Sequence, residues 1–294
     1  MRIMQRAAQE IHLKEAHQRA MKGQDIGVAV LDTGINPHPD FVYPQNRIAG
    51  FFDAVYGRKK PYDDSSHGTH VAGIIGGNGY LSNGRYCGIA PECRLIAVKV
   101  LNRYGDGNIK SVVKGVDWVL KNKEVYQIRV VNISIASVKG QEIGEKSEFV
   151  KKVEQLWDEG LVVVASAGNA GPGSQTIGAP GNSRKLITVG CSDEAEEIAG
   201  RGPTMQCIKK PDIVAPGHHI VSCGMKGKGK YCYTAKSGTS MSCPMVSGAA
   251  ALLLSVYPNM TNLEVKIRLK NAAVDLGRSH ARQGWGMLDI QSLI

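Results

Sequence analysis

Short apolar segments alternate along the chain with longer stretches whose apolar residues recur at helical spacing. The short segments are rich in β-branched residues, which predicts buried strands at residues 26–31, 95–101, 128–133, 161–165 and 186–189. Residues 108–123 and 145–159 each carry an apolar stripe on one face and are predicted helices. This order predicts an α/β fold with three layers, in which helices cover both faces of a mostly parallel, twisted sheet.

The C-terminal part of the chain continues the helical pattern. Residues 240–257 are almost uniformly apolar or small and predict a buried helix, and Thr261 with Glu264 forms a capping box that opens another helix. No linker or internal repeat interrupts the pattern. We therefore expect a single domain over residues 1–294, with residues 1–22 as an N-terminal helical segment.

Composition and charge limit the kinds of partner that the protein is expected to bind. The 294 residues are 43% hydrophobic and 21% charged, which excludes a disordered chain, and no apolar run approaches the roughly 18 residues of a membrane span. The formal net charge is +10, but no aromatic residue interleaves Lys226, Lys228 and Lys230, a basic run between glycines. We expect neither nucleic acid nor a membrane as partner.

The cysteines bear on redox compartment and metal binding. Seven are present, at positions 87, 93, 191, 207, 223, 232 and 243. The odd count leaves at least one thiol unpaired within the chain and favours a reducing compartment, although Cys223 and Cys232 flank a predicted hairpin and pairing between them stays open. No Cys-x-x-Cys pair suggests zinc. Because residues 1–22 contain no apolar block, a cytoplasmic location is expected, with a trimmed secreted chain as the alternative.

Asp32 ends an apolar strand and is followed by Gly34. Taken alone, this carboxylate is explained equally well as a cap for the next turn. Aspartic proteases also contain Asp-Thr-Gly, but they need two such carboxylates sharing a proton, and no second Asp-Thr-Gly or Asp-Ser-Gly occurs in this chain.

Two histidines, His67 and His70, stand three residues apart at the start of a segment of small and apolar residues. The pair lacks the glutamate of a His-Glu-x-x-His motif and a nearby third ligand, so we expect no metal there. We expect His70 to pack beneath the site and His67 to be the reactive residue.

Ser240 follows the turn at Gly238 and opens the apolar C-terminal helix. The free backbone N–H groups and the positive end of the helix dipole favour an anion that develops beside such a serine. On its own, however, the motif is explained as a simple helix cap.

The three motifs together, in the order Asp, His, Ser, resemble the subtilisin-like serine proteases of peptidase family S8. Four blocks carry the resemblance, at residues 30–34, 67–73, 167–169 and 238–244. The resemblance extends over nearly the whole chain and implies the three-layer subtilisin-like fold. Further segments are similar to intracellular bacterial members, at residues 82–91, 201–203, 210–217 and 284–287.

The resemblance implies a role for each reactive residue. Ser240 would attack the peptide carbonyl, His67 would transfer the proton, and Asp32 would orient and stabilise the imidazole. The side-chain amide of Asn169 and the backbone N–H of Ser240 would form the oxyanion hole. Apart from this context, Asn169 is explained as a turn residue between glycines.

The resemblance also implies substrate-binding segments, which would pair with the backbone of an extended peptide. The residues implied are Gly105, Asp106, Gly107, Ile109, Val112, Ser134, Ile135, Ala136, Ser166, Ala167, Gly168 and Gly178. No acidic residue occurs in the pocket for the side chain before the scissile bond, so we expect broad specificity with an apolar or long side chain there. Asp106 would attract a basic side chain at a second pocket or would serve only as a turn residue.

No cofactor is expected for catalysis. Secreted members of the family hold a structural calcium ion, and Asp40 matches one of its ligand positions. Arg2 stands where an N-terminal glutamine would be expected, and the loop at residues 78–86 is longer. A basic side chain is therefore an alternative to the ion. The expected partner is a peptide or protein substrate, and the sequence sets no oligomeric state.

Two other functions are weighed against peptide hydrolysis. A catalytically silent scaffold is disfavoured because every position of the triad is filled. An esterase of the α/β-hydrolase type requires Gly-x-Ser-x-Gly, whereas Ser242 replaces the last glycine.

Overall fold

The computed structural model describes residues 3–135, 147–226 and 230–294. Its centre is a seven-stranded sheet in the order β2-β3-β1-β4-β5-β6-β7, with all neighbours parallel. The strands are β1 Gly27–Asp32, β2 Ile48–Asp53, β3 Arg94–Lys99, β4 Ile128–Ile133, β5 Val162–Ser166, β6 Ile187–Cys191 and β7 Ile213–Ala215. A separate antiparallel hairpin consists of β8 Ile220–Lys226 and β9 Lys230–Lys236.

Ten α-helices lie in the described part of the chain. They are α1 Ile3–Glu10, α2 Leu13–Gln18, α3 Pro39–Val42, α4 His67–Gly76, α5 Ile109–Asn122, α6 Glu148–Asp158, α7 Thr239–Val256, α8 Asn262–Ala272, α9 His280–Gln283 and α10 Ile290–Leu293. The predicted capping box is confirmed, because Thr261 and Glu264 bond reciprocally at the start of α8.

Two hydrophobic cores lie on opposite faces of the sheet, because successive side chains of a strand point to opposite sides. Val28 and Val30 of β1 join the core with α4 and α7, whereas Ala29 and Leu31 join the core with α5 and α6. This arrangement confirms the predicted three-layer α/β fold. By length and composition, α7 is the one described helix that could cross a membrane, but 83% of it is buried inside the fold.

All five predicted strands are present, each within about two residues of its expected bounds, but two strands of the sheet were missed. The side chains of β2 alternate poorly between buried and exposed positions, and β7 is only three residues long. Both lie at the edges of the sheet, and neither gives a strong local signal. Their positions therefore depend on pairing with β3 and β6 rather than on a local signal.

The hairpin register explains why Cys223 and Cys232 remain unpaired. Cys223 lies opposite Tyr233, and Cys232 lies opposite Gly224. Residues one register position apart point to opposite faces of the hairpin, so the two thiols cannot meet. All seven cysteines are free thiols in the structure.

Candidate functional site

Asp32 and His67 form a hydrogen-bonded pair at the carboxyl edge of the sheet. Asp32 is the last residue of β1 and is fully buried, while the side chain of His67 is 26% exposed. Asp32 Oδ1 lies 2.7 Å from His67 Nδ1 and also accepts the backbone N–H of Thr33 at 2.7 Å. When Nδ1 carries the hydrogen, the lone pair of the neutral ring lies at Nε2, where the ring can act as a base.

The carboxylate of Asp63 positions the first turn of α4, which begins at His67. Its Oδ1 accepts hydrogen bonds from Thr33 Oγ1 at 2.8 Å and from the backbone N–H groups of Ser65 and Ser66, both at 2.9 Å. Its Oδ2 accepts bonds from Thr69 N at 2.9 Å and Thr69 Oγ1 at 2.6 Å. A buried anion at a helix N-terminus therefore ties the turn after Asp32 to the helix that carries His67.

Gly68 allows this helix to approach the strand end. A Cβ atom at Gly68 would collide with the carbonyl oxygen of Gly34, and the Gly68 N–H donates to Thr33 Oγ1 at 2.9 Å. Any larger residue at position 68 would push the imidazole of His67 away from Asp32.

Lys99, like Asp63, was missed by the sequence analysis. It is the last residue of β3, and its side chain is fully buried. Its ammonium group donates to the carbonyl oxygens of Thr33 and Leu101 at 2.7 and 2.9 Å and to Asp64 Oδ1 at 2.6 Å. This cation satisfies carbonyl groups at the ends of the strands. A lysine that ends an apolar strand was the available signal for both its burial and its role.

Ser240 is the second residue of α7. The helix begins directly after Gly238, whose φ of 128° favours glycine. Its hydroxyl donates to the carbonyl oxygen of Ser134 at 3.2 Å. Among the described residues, no hydrogen bond joins the hydroxyl to His67. Within the described residues, the structure thus contains the Asp32–His67 bond of the expected triad but not the bond between serine and histidine.

Asn169 lies on the exposed loop after β5, beside the start of α7. Its Oδ1 accepts hydrogen bonds from Thr239 N at 3.1 Å and Thr239 Oγ1 at 3.0 Å. These bonds orient the amide so that its Nδ2 remains available as a donor. Within the described residues the backbone N–H of Ser240 has no hydrogen-bond partner, as expected in the first turn of a helix.

The residues expected to surround the pocket lie at the ends of two neighbouring strands. Ser134 and Ile135 follow β4, and residues 166–168 end β5, which pairs with β4. The Gly178 N–H donates to the carbonyl oxygen of Ala167 at 2.9 Å, which brings residue 178 beside this pair. Ala136 lies outside the described residues. The predicted pocket residues that are described therefore lie close together.

The second predicted pocket lies after β3. Residues 105–107 follow a turn at residues 103–104, across which Asn102 N donates to the carbonyl oxygen of Asp106 at 2.8 Å. Ile109, the first residue of α5, is partly exposed, but Val112 is only 1% exposed and belongs to the core beneath it. Of the two apolar residues expected to form this pocket, only Ile109 therefore offers surface to a ligand.

The pKa values of the two histidines of α4 shift in opposite directions. Burial opposes the charged form of His67, but the charge and hydrogen bond of Asp32 outweigh it and raise the pKa of His67. Burial lowers the pKa of His70 to about 3, and its Nε2 bonds the carbonyl oxygens of Ile220 and Thr234, both at 3.0 Å. His70 therefore stays neutral beneath the site. Its Nδ1 is buried without a hydrogen-bond partner among the described residues.

The surroundings of Asp40 do not fit calcium, which takes six to eight oxygen ligands. The Asp40 carboxylate accepts hydrogen bonds from Leu81 N at 3.0 Å and from the Tyr233 hydroxyl at 2.8 and 3.0 Å. The guanidinium group of Arg47 donates to the backbone carbonyl oxygens of Asp40 and Gly76. The Asp40 carboxylate therefore meets hydrogen-bond donors rather than the oxygen ligands of a calcium cage. Arg2 lies outside the described residues.

Comparisons with known proteins agree with this arrangement. The Peptidase S8 model, described as the Subtilase family, matches residues 23–286. The chain is 39% identical to Serine protease AprX of Bacillus subtilis (strain 168), covering 92% of this chain and 66% of AprX. It is 34% identical to Subtilisin Savinase of Lederbergia lenta, covering 94% of this chain and 93% of Savinase.

A solved structure supports the same relationship. The crystal structure of a cold adapted subtilisin-like serine proteinase superposes with a TM-score of 0.73 at 28% identity, covering 91% of this chain and 89% of that one. The chain spans 66% of the length of AprX and 40% of that of Minor extracellular protease Epr of Bacillus subtilis (strain 168). The family model, the relatives and the fold together show that this chain belongs to the subtilase family.

Proposed function

We propose that the protein is a serine endopeptidase that cleaves peptide bonds through an acyl-enzyme. The observation that carries the proposal is the 2.7 Å bond between the buried Asp32 carboxylate and His67 Nδ1, on a helix that packs against α7, in whose first turn Ser240 lies. Relatives of similar length, such as Savinase, support it by their names. A cytoplasmic location remains a prediction.

The proposed reaction begins with His67. Its Nε2 takes the proton of Ser240 Oγ as the oxygen attacks the peptide carbonyl, and Asp32 stabilises the resulting imidazolium. The amide Nδ2 of Asn169 and the N–H of Ser240 donate to the oxyanion. His67 then gives its proton to the departing amine, and a water molecule activated by the same ring hydrolyses the ester on Ser240.

The proposal is tested against the silent-scaffold alternative with a fluorophosphonate probe. Such probes label only a serine that a neighbouring base activates, so the protein should become labelled at Ser240, and Ser240→Ala should remove the label. A folded protein that resists labelling and cleaves no peptide would support the scaffold.

The pocket between the ends of β4 and β5 sets the proposed specificity. Its described residues, Ser134, Ile135, 166–168 and Gly178, include no acidic side chain. We infer that an apolar or long side chain precedes the scissile bond, with affinity supplied largely by backbone bonds of the substrate. Cleavage of a random peptide library tests this, and a strong preference for basic residues at that position would contradict it.

Asn169→Ala is expected to lower kcat by about 10²- to 10³-fold with little change in KM, because the amide would bond the oxyanion more strongly than the substrate carbonyl. Steady-state kinetics on a peptide substrate measure the effect. Asn46→Ala, on a surface away from Ser240, is the control and should retain full activity. An equal loss in both variants would contradict the assignment.

The pH profile of kcat/KM should show an acid limb above pH 6.5, the ordinary pKa of histidine, because the base must be neutral and the pKa of His67 is raised. The positive charge of Lys236 opposes the imidazolium and lowers the pKa of His67. Lys236→Met should therefore move the limb to higher pH, and less in high salt. Lys209→Met is the control, and a shift toward lower pH in Lys236→Met would refute the assignment.

A further inference from the structure

His38, Asp40 and Cys223 form a buried cluster in which each residue offers one ligand atom, and these atoms all lie within 4.8 Å of one another. His38 and Asp40 are fully buried and Cys223 is 1% exposed. In the described part of the chain this is the single histidine, cysteine and acidic cluster with such spacing. The proposed peptidase mechanism uses none of the three.

The separations within the cluster match those around a tetrahedral ion. His38 Nδ1 lies 3.5 Å from Asp40 Oδ1, and Cys223 Sγ lies 3.6 Å from Asp40 Oδ2. With ordinary zinc–ligand bond lengths, tetrahedral geometry separates nitrogen from oxygen by about 3.4 Å and sulfur from oxygen by about 3.6 Å. The two distances end on different oxygens of one carboxylate, so the ion would be held by both oxygens of Asp40, or by one of them after the carboxylate rotates.

The tautomer of His38 suits a ligand. Its Nε2 lies 3.2 Å from the carbonyl oxygen of Cys232, which can only accept a hydrogen bond, so the hydrogen resides at Nε2 and the lone pair at Nδ1. Histidines that bind metals commonly donate their other ring N–H to a backbone carbonyl in this way. The lone pair now accepts the Asp40 N–H at 3.2 Å, a long bond that an ion would displace.

Charge and ligand type determine which ion fits. A thiolate and a carboxylate together balance the charge of a divalent cation, and the thiol proton would be released to solvent as the metal–sulfur bond forms. Sulfur and imidazole ligands favour zinc over magnesium or calcium. The hydroxyl of Tyr233, at 2.8 Å from Asp40 Oδ2, lies where it can complete or support the coordination.

We propose that His38, Asp40 and Cys223 bind a zinc ion that fastens α3 to the β8–β9 hairpin. The site is structural. Zinc would hold the chain that follows β1 against the hairpin that leads into Ser240, and catalysis itself would need no metal.

The test uses a Ser240→Ala, Cys207→Ser protein, because the first change prevents self-digestion and the second removes an exposed thiol that binds metals by itself. The protein is treated with a chelator and titrated with Co²⁺, which reports thiolate ligation by a charge-transfer band. We expect one equivalent to bind with this band, and zinc to displace the cobalt and raise the thermal unfolding midpoint.

Matched variants separate this site from other thiols. Cys223→Ser should abolish the band, whereas Cys232→Ser should retain it, because Cys232 contributes only its carbonyl oxygen to His38. His38→Asn, in which the amide oxygen takes the position of Nδ1 and can still accept the Asp40 N–H, should weaken binding at least tenfold while the protein still folds. Absence of the band, or its persistence in Cys223→Ser, would overturn the proposal. Because the test protein lacks the serine, neither outcome depends on peptidase activity.

Discussion

Ser240→Ala is expected to lower kcat on a peptide substrate by about 10⁶-fold, the size of loss that removal of the nucleophile causes in subtilisin. The neighbouring hydroxyl of Thr239 already donates to Asn169 Oδ1 at 3.0 Å, so no free hydroxyl replaces that of Ser240 and acyl-enzyme formation would stop. The residual rate over uncatalysed hydrolysis would come from the oxyanion hole and from substrate binding. His67→Ala should cause a loss of similar size, because the serine and its base act as a unit.

Single-turnover kinetics and fluorophosphonate labelling measure this effect. Ser237→Ala is the matched control, since Ser237 lies in the same turn and its hydroxyl accepts a hydrogen bond from His219 N at 2.8 Å. The control should keep most of the activity. Cleavage by Ser240→Ala at more than a thousandth of the wild-type rate would show that another group is the nucleophile.

Asp32→Asn is expected to lower kcat by about 10⁴-fold while the fold survives. An amide in place of Oδ1 can donate to His67 Nδ1, which would move the ring hydrogen to Nε2 and leave no base facing Ser240. The substitution also removes the charge that raises the pKa of His67. The acid limb of the residual activity should therefore move to lower pH.

Asp53→Asn provides the control, because Asp53 ends β2 as Asp32 ends β1 but bonds to the N–H groups of Val55 and Tyr56. Its loss should affect stability more than kcat. The measurements are kcat, its pH profile and the unfolding midpoint of each variant. An Asp32→Asn enzyme with wild-type turnover, or equal kinetic losses in both variants, would exclude the proposed role of Asp32.

The motifs predicted much of the site because each marks the end of a regular element. Asp32 ends one apolar strand and Asn169 follows another. Both were therefore expected at the same edge of the sheet, since the carboxyl ends of parallel strands lie together. A histidine and a serine that each begin a helix could be anticipated for the same reason. Such signals are local in sequence. They could be recognised because the buried elements that they end or begin are apolar runs.

Contacts between distant segments gave no comparable signal. Asp63 resembles an ordinary surface residue in the sequence, and Lys99 differs from one only in ending an apolar strand, yet both are buried and bond several groups around Thr33. Their roles depend on how α4 and β3 pack against β1. The same holds for His38 and Cys223, which are separated by nearly two hundred residues and meet only where the hairpin covers α3.

Hydrophobic periodicity thus sufficed for the layers of the fold and five strands of its sheet, and the motifs predict which residues react. Folding alone determined the edge strands, the orientation of the Ser240 hydroxyl toward Ser134 and the burial of Val112. The reason is physical: periodicity records which face of an element is buried, whereas side-chain rotamers and buried charge networks depend on neighbours that the chain brings together from afar.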